Sequence, residues 1–184
     1  MTDPAIRRLS MSSFNSVFRV DHSSQQSVLR VGDACRIHPP GVEDVEAAWL
    51  RDLADSGFVV PVNIATTDGA SHTVFDHSGV PEPRTCSMFR WVEGVPLTQR
   101  LSAESMTAAG VLLAELHEHA RSDTLASMAT DVRADRVVYF HSENRVLTHE
   151  SRHGTLLVEA IDRIQRLLDE IWRSPPHQPH LLHG

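Results

Sequence analysis

The chain has 184 residues, of which 41% are hydrophobic and 22% charged, as expected for a globular protein with a buried core. Its formal net charge of −7 argues against a nucleic-acid groove, because such a groove requires clustered lysine and arginine. Cys35 and Cys86 form no disulfide framework and no CxxC motif, and no apolar run reaches the ~18 residues of a membrane span. Composition therefore predicts a cytoplasmic protein with no nucleic-acid or membrane partner.

The first part of the chain carries strand signals on either side of one helix signal. Residues 14–20 and 27–31 are short β-branched and aromatic runs separated by a polar stretch, which predicts a β-hairpin. Residues 42–54 follow a Pro-Pro-Gly break and have apolar side chains at helical spacing. We therefore expect an amphipathic helix that ends near Gly57.

A two-residue turn signal, Asp68-Gly69, separates a predicted strand over 58–66 from another over 71–75. The stretch 84–94, RTCSMFRWVEG, then predicts a buried strand that ends at a turn glycine. It divides a sheet-rich part of the chain from a helix-rich part. This stretch is interpreted either as a hinge between two architectures or as the last core strand of a small sheet.

Two amphipathic helices are predicted after this strand. The first covers 103–120 and is capped by Ser102, and the second covers 155–172. Residues 121–150 show no clear periodicity. Because two amphipathic helices alone form a thin layer, we expect their apolar faces to need further partners.

Arg30 and Glu46 both lie in apolar surroundings. Val28 and Arg30 point to the same face of their predicted strand, and Glu46 lies in the middle of the apolar stripe of helix 42–54. Arg30 needs no partner if it lies on the exposed face of an edge strand. Glu46, however, faces the core, where an unpaired carboxylate costs on the order of several kcal/mol. Arg30 is the best-placed cation to pair with it.

With these features in place, the sequence resembles the aminoglycoside phosphotransferase and homoserine kinase type II-like families over essentially its whole length. The matching segments are FNSVFRV, SVLRV, EAAWLRDL, FRWVEG, the G-x-x-L-A-x-L-H motif from Gly110 to His117, and the final LLHG. The resemblance implies an α+β, protein-kinase-like fold. Residues 1–93 would form an antiparallel sheet lobe containing the helix 42–54, and residues 94–184 would form the first helices of an incomplete C-lobe.

The resemblance also implies an ATP-dependent phosphotransferase that uses Mg²⁺ and transfers phosphate to the hydroxyl of a small molecule. The nucleotide-binding residues that it implies are Asn15, Val28, Arg30, Glu46, Arg90 and Val92.

Each of these residues takes its role from the family pattern. Asn15 lies in the nucleotide-loop hairpin, Val28 covers the adenine ring, and the backbone near Arg90 and Val92 hydrogen-bonds the adenine edge. Arg30 takes the place of the phosphate-contacting lysine of protein kinases, and Glu46 fixes its position. The planar guanidinium can hold a carboxylate and a phosphate oxygen at once.

In the family the catalytic loop reads H-G-D, with an asparagine five residues after the aspartate. The aspartate is the catalytic base and the asparagine a metal ligand. This chain stops at His183-Gly184. We therefore expect no catalytic residue and no metal ligand within it, and we expect the isolated chain to bind nucleotide weakly without transferring phosphate.

Two alternatives remain open. The run from His149 through Glu150 to His153 matches the zinc-peptidase motif H-E-x-x-H, although its flanks are polar and Gly154 follows immediately. The other alternative is a non-catalytic nucleotide- or protein-binding module whose apolar helices dock onto another chain. Nucleotide binding that is lost in Arg30→Ala distinguishes the kinase-like reading from this module.

Overall fold

The structure, a computed structural model, describes residues 3–11, 15–33, 40–121 and 152–173. In these ranges the strands precede the helices, except for one helix within the sheet region. The elements are β1 (Ala5–Met11), β2 (Asn15–His22), β3 (Gln25–Gly32), α1 (Val42–Asp55), β4 (Asn63–Ile64), β5 (Thr73–Phe75), β6 (Arg84–Arg90), a 3₁₀ turn (Leu97–Gln99), α2 (Ala103–His119) and α3 (Arg152–Arg173). The predicted α+β class is confirmed.

All the strand pairs of the sheet are antiparallel, in the order β1-β2-β3-β6-β4, with β5 also paired to β6. The predicted hairpin is formed by β2 and β3. On β3, Arg30 lies between Val17 of β2 and Ser87 of β6. Since β3 is paired on both sides, the edge-strand interpretation of Arg30 is wrong.

β1 was not predicted from the sequence. Its register against β2 shifts between Arg8, which pairs with Phe18, and Ser10, which pairs with Val17. Such a bulge adds one residue to the strand and moves the following side chains to the opposite face. The period of two on which strand recognition depends is therefore broken at Leu9.

The strand predicted over 58–66 is much shorter in the structure, where only Asn63–Ile64 pairs with β6. The Phe58 N–H donates instead to the Leu53 carbonyl at the end of α1, with an N···O distance of 3.0 Å. Pro61 has no N–H to give to a ladder. The first half of this segment therefore packs against α1 and does not extend the sheet.

The turn at Asp68-Gly69 forms, with Gly69 at a φ of 88° and hydrogen bonds of 2.9 Å from Gly69 N–H to Thr66 O and from Thr66 N–H to Ala70 O. The strands on either side of it both pair with β6 and, within the described sheet, not with each other. The second of them begins at Thr73 and not at residue 71. The turn signal was correct, but the hairpin that it predicted is not formed.

Helix α1 matches its predicted limits to within one residue. It starts after Gly41, which has a φ of 88°, and Glu43 and Asp44 place negative charge in its first turn, where the helix dipole favours it. Its C-terminal half carries Trp49 and Leu53 into the main apolar cluster. This cluster also contains the buried Ala120 and the partly buried Phe58, Val60 and Leu116.

Helices α2 and α3 also match their predictions closely. Ser102 caps α2, where its hydroxyl accepts a 3.1 Å hydrogen bond from Ser105 N–H. Neither helix covers its apolar stripe: large exposed side chains are Met106, Val111, Leu112 and Leu113 on α2 and Leu156, Leu157, Ile164, Leu167 and Ile171 on α3. Among the described helices, none combines the length and the apolarity that crossing a bilayer requires.

Alanine substitutions at two glycines are expected to change the free energy of unfolding in opposite directions. Gly57 ends α1 with a φ of 92°, a conformation that strains an L side chain, whereas Gly110 lies inside α2 with nothing within 4 Å of an added Cβ. We expect Gly57→Ala to lower the free energy of unfolding by about 1 kcal/mol, and Gly110→Ala to raise it by about 0.5–1 kcal/mol. Urea denaturation of both variants measures this, and a shift of the same sign in both would contradict it.

Candidate functional site

Arg30 and Glu46 form the predicted ion pair between β3 and α1. Arg30 Nη1 donates to Glu46 Oε1 over 2.8 Å, and Nη2 donates to Oε2, so the contact is bidentate. The guanidinium carbon also lies 4.9 Å from the centroid of the Phe89 ring. Because both side chains are partly solvated, at 27% and 34% exposure, the pair fixes geometry more than it adds stability.

Arg30 stays protonated in this environment. Hydrogen bonding to the Glu46 carboxylate, which accepts from Arg30, raises the pKa of the guanidinium above its ordinary value, and burial opposes this with a smaller effect. The side chain is therefore a permanent cation held in one orientation by an anion.

The face of the sheet that carries Arg30 also forms a cavity of about 290 Å³. Strands β2, β3 and β6 contribute to it, together with the segment that follows β6. Its lining residues are Val17, Val28, Arg30, Pro61, Phe89, Arg90, Trp91 and Val92. Most of these side chains are apolar, so the cavity suits a flat apolar group beside a fixed positive charge.

Four of the six predicted nucleotide-binding residues line this cavity. Val28, Arg30, Arg90 and Val92 meet there, and Glu46 holds Arg30 from α1. The sixth, Asn15, begins β2 opposite Gly32 and is not among the lining residues given above. Residues 12–14 of the loop before it lie outside the described residues.

Sequence reasoning missed four lining residues, and the strand register explains two of them. Val17 is the cross-strand partner of Arg30, and Phe89 is the partner of Val28. Residues opposite each other in an antiparallel pair share a face of the sheet. Had the register been known, both positions would have followed from Val28 and Arg30, but Pro61 and Trp91 carry no such signal.

The end of β6 and the residue that follows it are held in place by backbone hydrogen bonds. Arg90 N–H donates to Val62 O over 2.8 Å, and Trp91 N–H donates to Gln26 O over 3.4 Å. The Arg19 guanidinium lies 4.7 Å above the Trp91 ring. This end of the cavity wall is thereby fixed both by β3 and by the residue that precedes β4.

The other chemical signals in the sequence form no site in the part of the chain that the structure describes. Residues 149–151 of the zinc-peptidase match lie outside it, and the described residues contain no group of three or more histidine, cysteine, aspartate or glutamate side chains placed to hold a metal ion. Burial raises the pKa of the Cys86 thiol, which disfavours the reactive thiolate.

Comparison with known proteins decides the family. The sequence model of the phosphotransferase enzyme family matches residues 5–184. The chain belongs to the phosphotransferase enzyme family. The family resemblance predicted from the sequence is confirmed, and so is the protein-kinase-like fold.

Two solved structures resemble this member of the phosphotransferase enzyme family. The microcompartment-associated aminopropanol kinase is 25% identical with a TM-score of 0.57, over 94% of this chain and 55% of its own. The amicoumacin kinase hAmiN, solved with AMP-PNP, Ca²⁺ and Ami, is 12% identical with a TM-score of 0.54, over 94% of this chain and 50% of its own. This member of the family thus spans about half the length of both. No curated protein matches it significantly.

Proposed function

We propose that this chain carries the nucleotide-binding site of an ATP-dependent phosphotransferase that acts on a small molecule. The observation that carries the proposal is the apolar cavity whose wall contains Arg30, held in place by Glu46. Family membership supports phosphoryl transfer as the chemistry. In this proposal residues 1–93 form the nucleotide lobe, and residues 94–184 begin the helical lobe.

The adenine ring is assigned to the apolar part of the cavity. Val28 and Phe89 are cross-strand neighbours that present adjacent apolar surfaces, and Val17 extends the same face. Because the Arg90 N–H already donates to Val62 O, we assign the hydrogen bond to the adenine edge to the Val92 backbone. A planar aromatic base in such a slot gains from burial of both of its faces.

The phosphates are assigned to Arg30. A guanidinium has five N–H donors, and Glu46 receives two of them, which leaves three for phosphate oxygens. Glu46 restrains the rotation of the guanidinium, so less side-chain entropy is lost when a phosphate binds. Its role in the proposal is to position Arg30.

Mg²⁺ neutralises the charge that builds up on the phosphates during phosphoryl transfer. The described residues contain no cluster of three metal ligands, so we assign none of them to the ion. The acceptor is proposed to be the hydroxyl of a small molecule, a class that the name of the aminopropanol kinase supports by analogy. No described residue is assigned to the acceptor.

Filling the cavity tests the proposal. We expect Mg-ATP to bind the chain saturably in isothermal titration calorimetry, and Val28→Trp to weaken binding at least about tenfold, because the indole occupies the place of the base. The matched control is Val74→Trp, since Val74 is 57% exposed on β5 and does not line the cavity. Circular dichroism verifies that each variant is folded.

If the folded wild-type chain binds no Mg-ATP, or if Val28→Trp binds it as well as Val74→Trp does, the proposed site is wrong. The exposed apolar faces of α2 and α3 would then favour the protein-binding module as the function.

A further inference from the structure

A second polar contact reaches α1 close to Glu46. The Ser71 hydroxyl, in the segment before β5, donates to the Asp44 carboxylate in the first turn of α1. His72 Nδ1 lies 2.9 Å from the same hydroxyl. Since a hydroxyl has one proton and Ser71 gives it to Asp44, His72 Nδ1 is placed to donate to Ser71. Ser71 is thus held from both sides.

Ser71 is itself anchored to the sheet by Asn63. This asparagine is only 7% exposed, and its Nδ2 donates to Ser71 O over 2.9 Å and to Met88 O over 3.2 Å. Both amide protons are therefore used, and each joins a different segment. Moving either segment away from Asn63 would leave a buried polar group without its hydrogen bond, which costs free energy. The amide therefore holds the Ser71 backbone against β6.

These contacts form a closed ring of interactions that includes the Arg30–Glu46 pair. Met88 on β6 pairs with Leu29 on β3, and Arg30 is the next residue on β3. The ring then runs from Arg30 through Glu46 to α1. From Asp44 on α1 it returns through Ser71 and Asn63 to β6. The N-terminal half of α1 is thereby tied to the sheet at two points.

The two ties act in different directions. Asp44 and Glu46 are two residues apart, so their side chains leave the helix about 200° apart around its axis. Two contacts on different sides of the N-terminal half hold its first turns against the sheet more firmly than one contact does. The C-terminal half of α1 is already fixed by Trp49 and Leu53 in the apolar cluster.

We propose that Ser71 is a positioning residue of the nucleotide site, which holds the N-terminal half of α1 in the place where Glu46 meets Arg30. This inference rests on the proposed function, because it requires Arg30 to contact the phosphates. Ser71 does not line the cavity, and its hydroxyl contacts Asp44 and His72, so removal of the hydroxyl acts on Arg30 through α1.

The test compares Mg-ATP with adenosine, which has no phosphates, by titration calorimetry of the 184-residue chain. We expect Ser71→Ala to weaken Mg-ATP about three- to tenfold, the effect of one hydrogen bond, and to leave adenosine affinity unchanged. Ser71→Thr keeps the hydroxyl and should bind Mg-ATP as the wild type does. Ser78→Ala, which removes an exposed serine hydroxyl in the turn after β5, should leave both affinities as in the wild type.

A double-mutant cycle identifies the route of the effect. In a Glu46→Ala background, Ser71→Ala should cause no further loss, because the contact that it positions is gone. An equal loss in both backgrounds would overturn the inference, and so would an equal loss of adenosine binding. If Arg30→Ala weakens Mg-ATP but Ser71→Ala does not, only this inference fails. If Arg30→Ala has no effect, the proposed function fails and this inference with it.

Discussion

Arg30→Ala is expected to weaken Mg-ATP binding about 10- to 100-fold while adenosine affinity stays within about twofold of the wild type. A hydrogen bond to a charged group is worth about 1.5–3 kcal/mol, and the variant loses such a contact with the phosphates together with its charge. Adenosine occupies only the apolar part of the cavity. Titration calorimetry with both ligands separates the two contributions.

Two matched variants make this result specific. Arg51→Ala removes an exposed arginine of α1, so a loss of binding there would show that net charge and not the site is responsible. Arg30→Lys keeps the charge but cannot reproduce the bidentate contact with Glu46, so an intermediate affinity is expected. If Arg30→Ala, shown by circular dichroism to be folded, weakened both ligands equally, the phosphate role of Arg30 would be wrong.

Leu53→Ala is expected to lower the free energy of unfolding by about 2–5 kcal/mol. Leu53 is 3% exposed and lies in the cluster that joins the end of α1 to Ala120, directly after α2. Truncation removes buried apolar surface and leaves a cavity that the surrounding helices fill only partly. Urea denaturation followed by circular dichroism measures the change.

The control for this variant is Leu101→Ala, because Leu101 is 64% exposed and its replacement should change stability by less than about 0.5 kcal/mol. Leu53 does not line the nucleotide cavity. Mg-ATP affinity of folded Leu53→Ala should therefore fall less than that of Arg30→Ala. Equal unfolding free energies for the two leucine variants would show that the cluster is not a stabilising core.

The Arg30–Glu46 pair could be predicted from the sequence because its physics is simple. A helical period places Glu46 among apolar side chains, and an ionised carboxylate there requires a cation. The register of β2 with β3 and of β3 with β6 then added what the sequence lacked. This register shows that Arg30 lies on an interior strand and not on an edge strand. It also places Phe89 beside the guanidinium.

Local interactions account for what the sequence by itself determined: helices α1, α2 and α3, the β2–β3 hairpin, the turn at Asp68-Gly69 and the family motifs. Each of these depends on residues that are close in the chain, where periodicity, capping and turn chemistry act. Only the tertiary structure decided the bulged strand β1, the short β4, the pairing of β5 with β6, and the link from Asn63 through Ser71 to Asp44. These depend on contacts between residues far apart in the chain, and the partner of a strand or a hydrogen-bonding side chain is chosen by packing that no local pattern encodes.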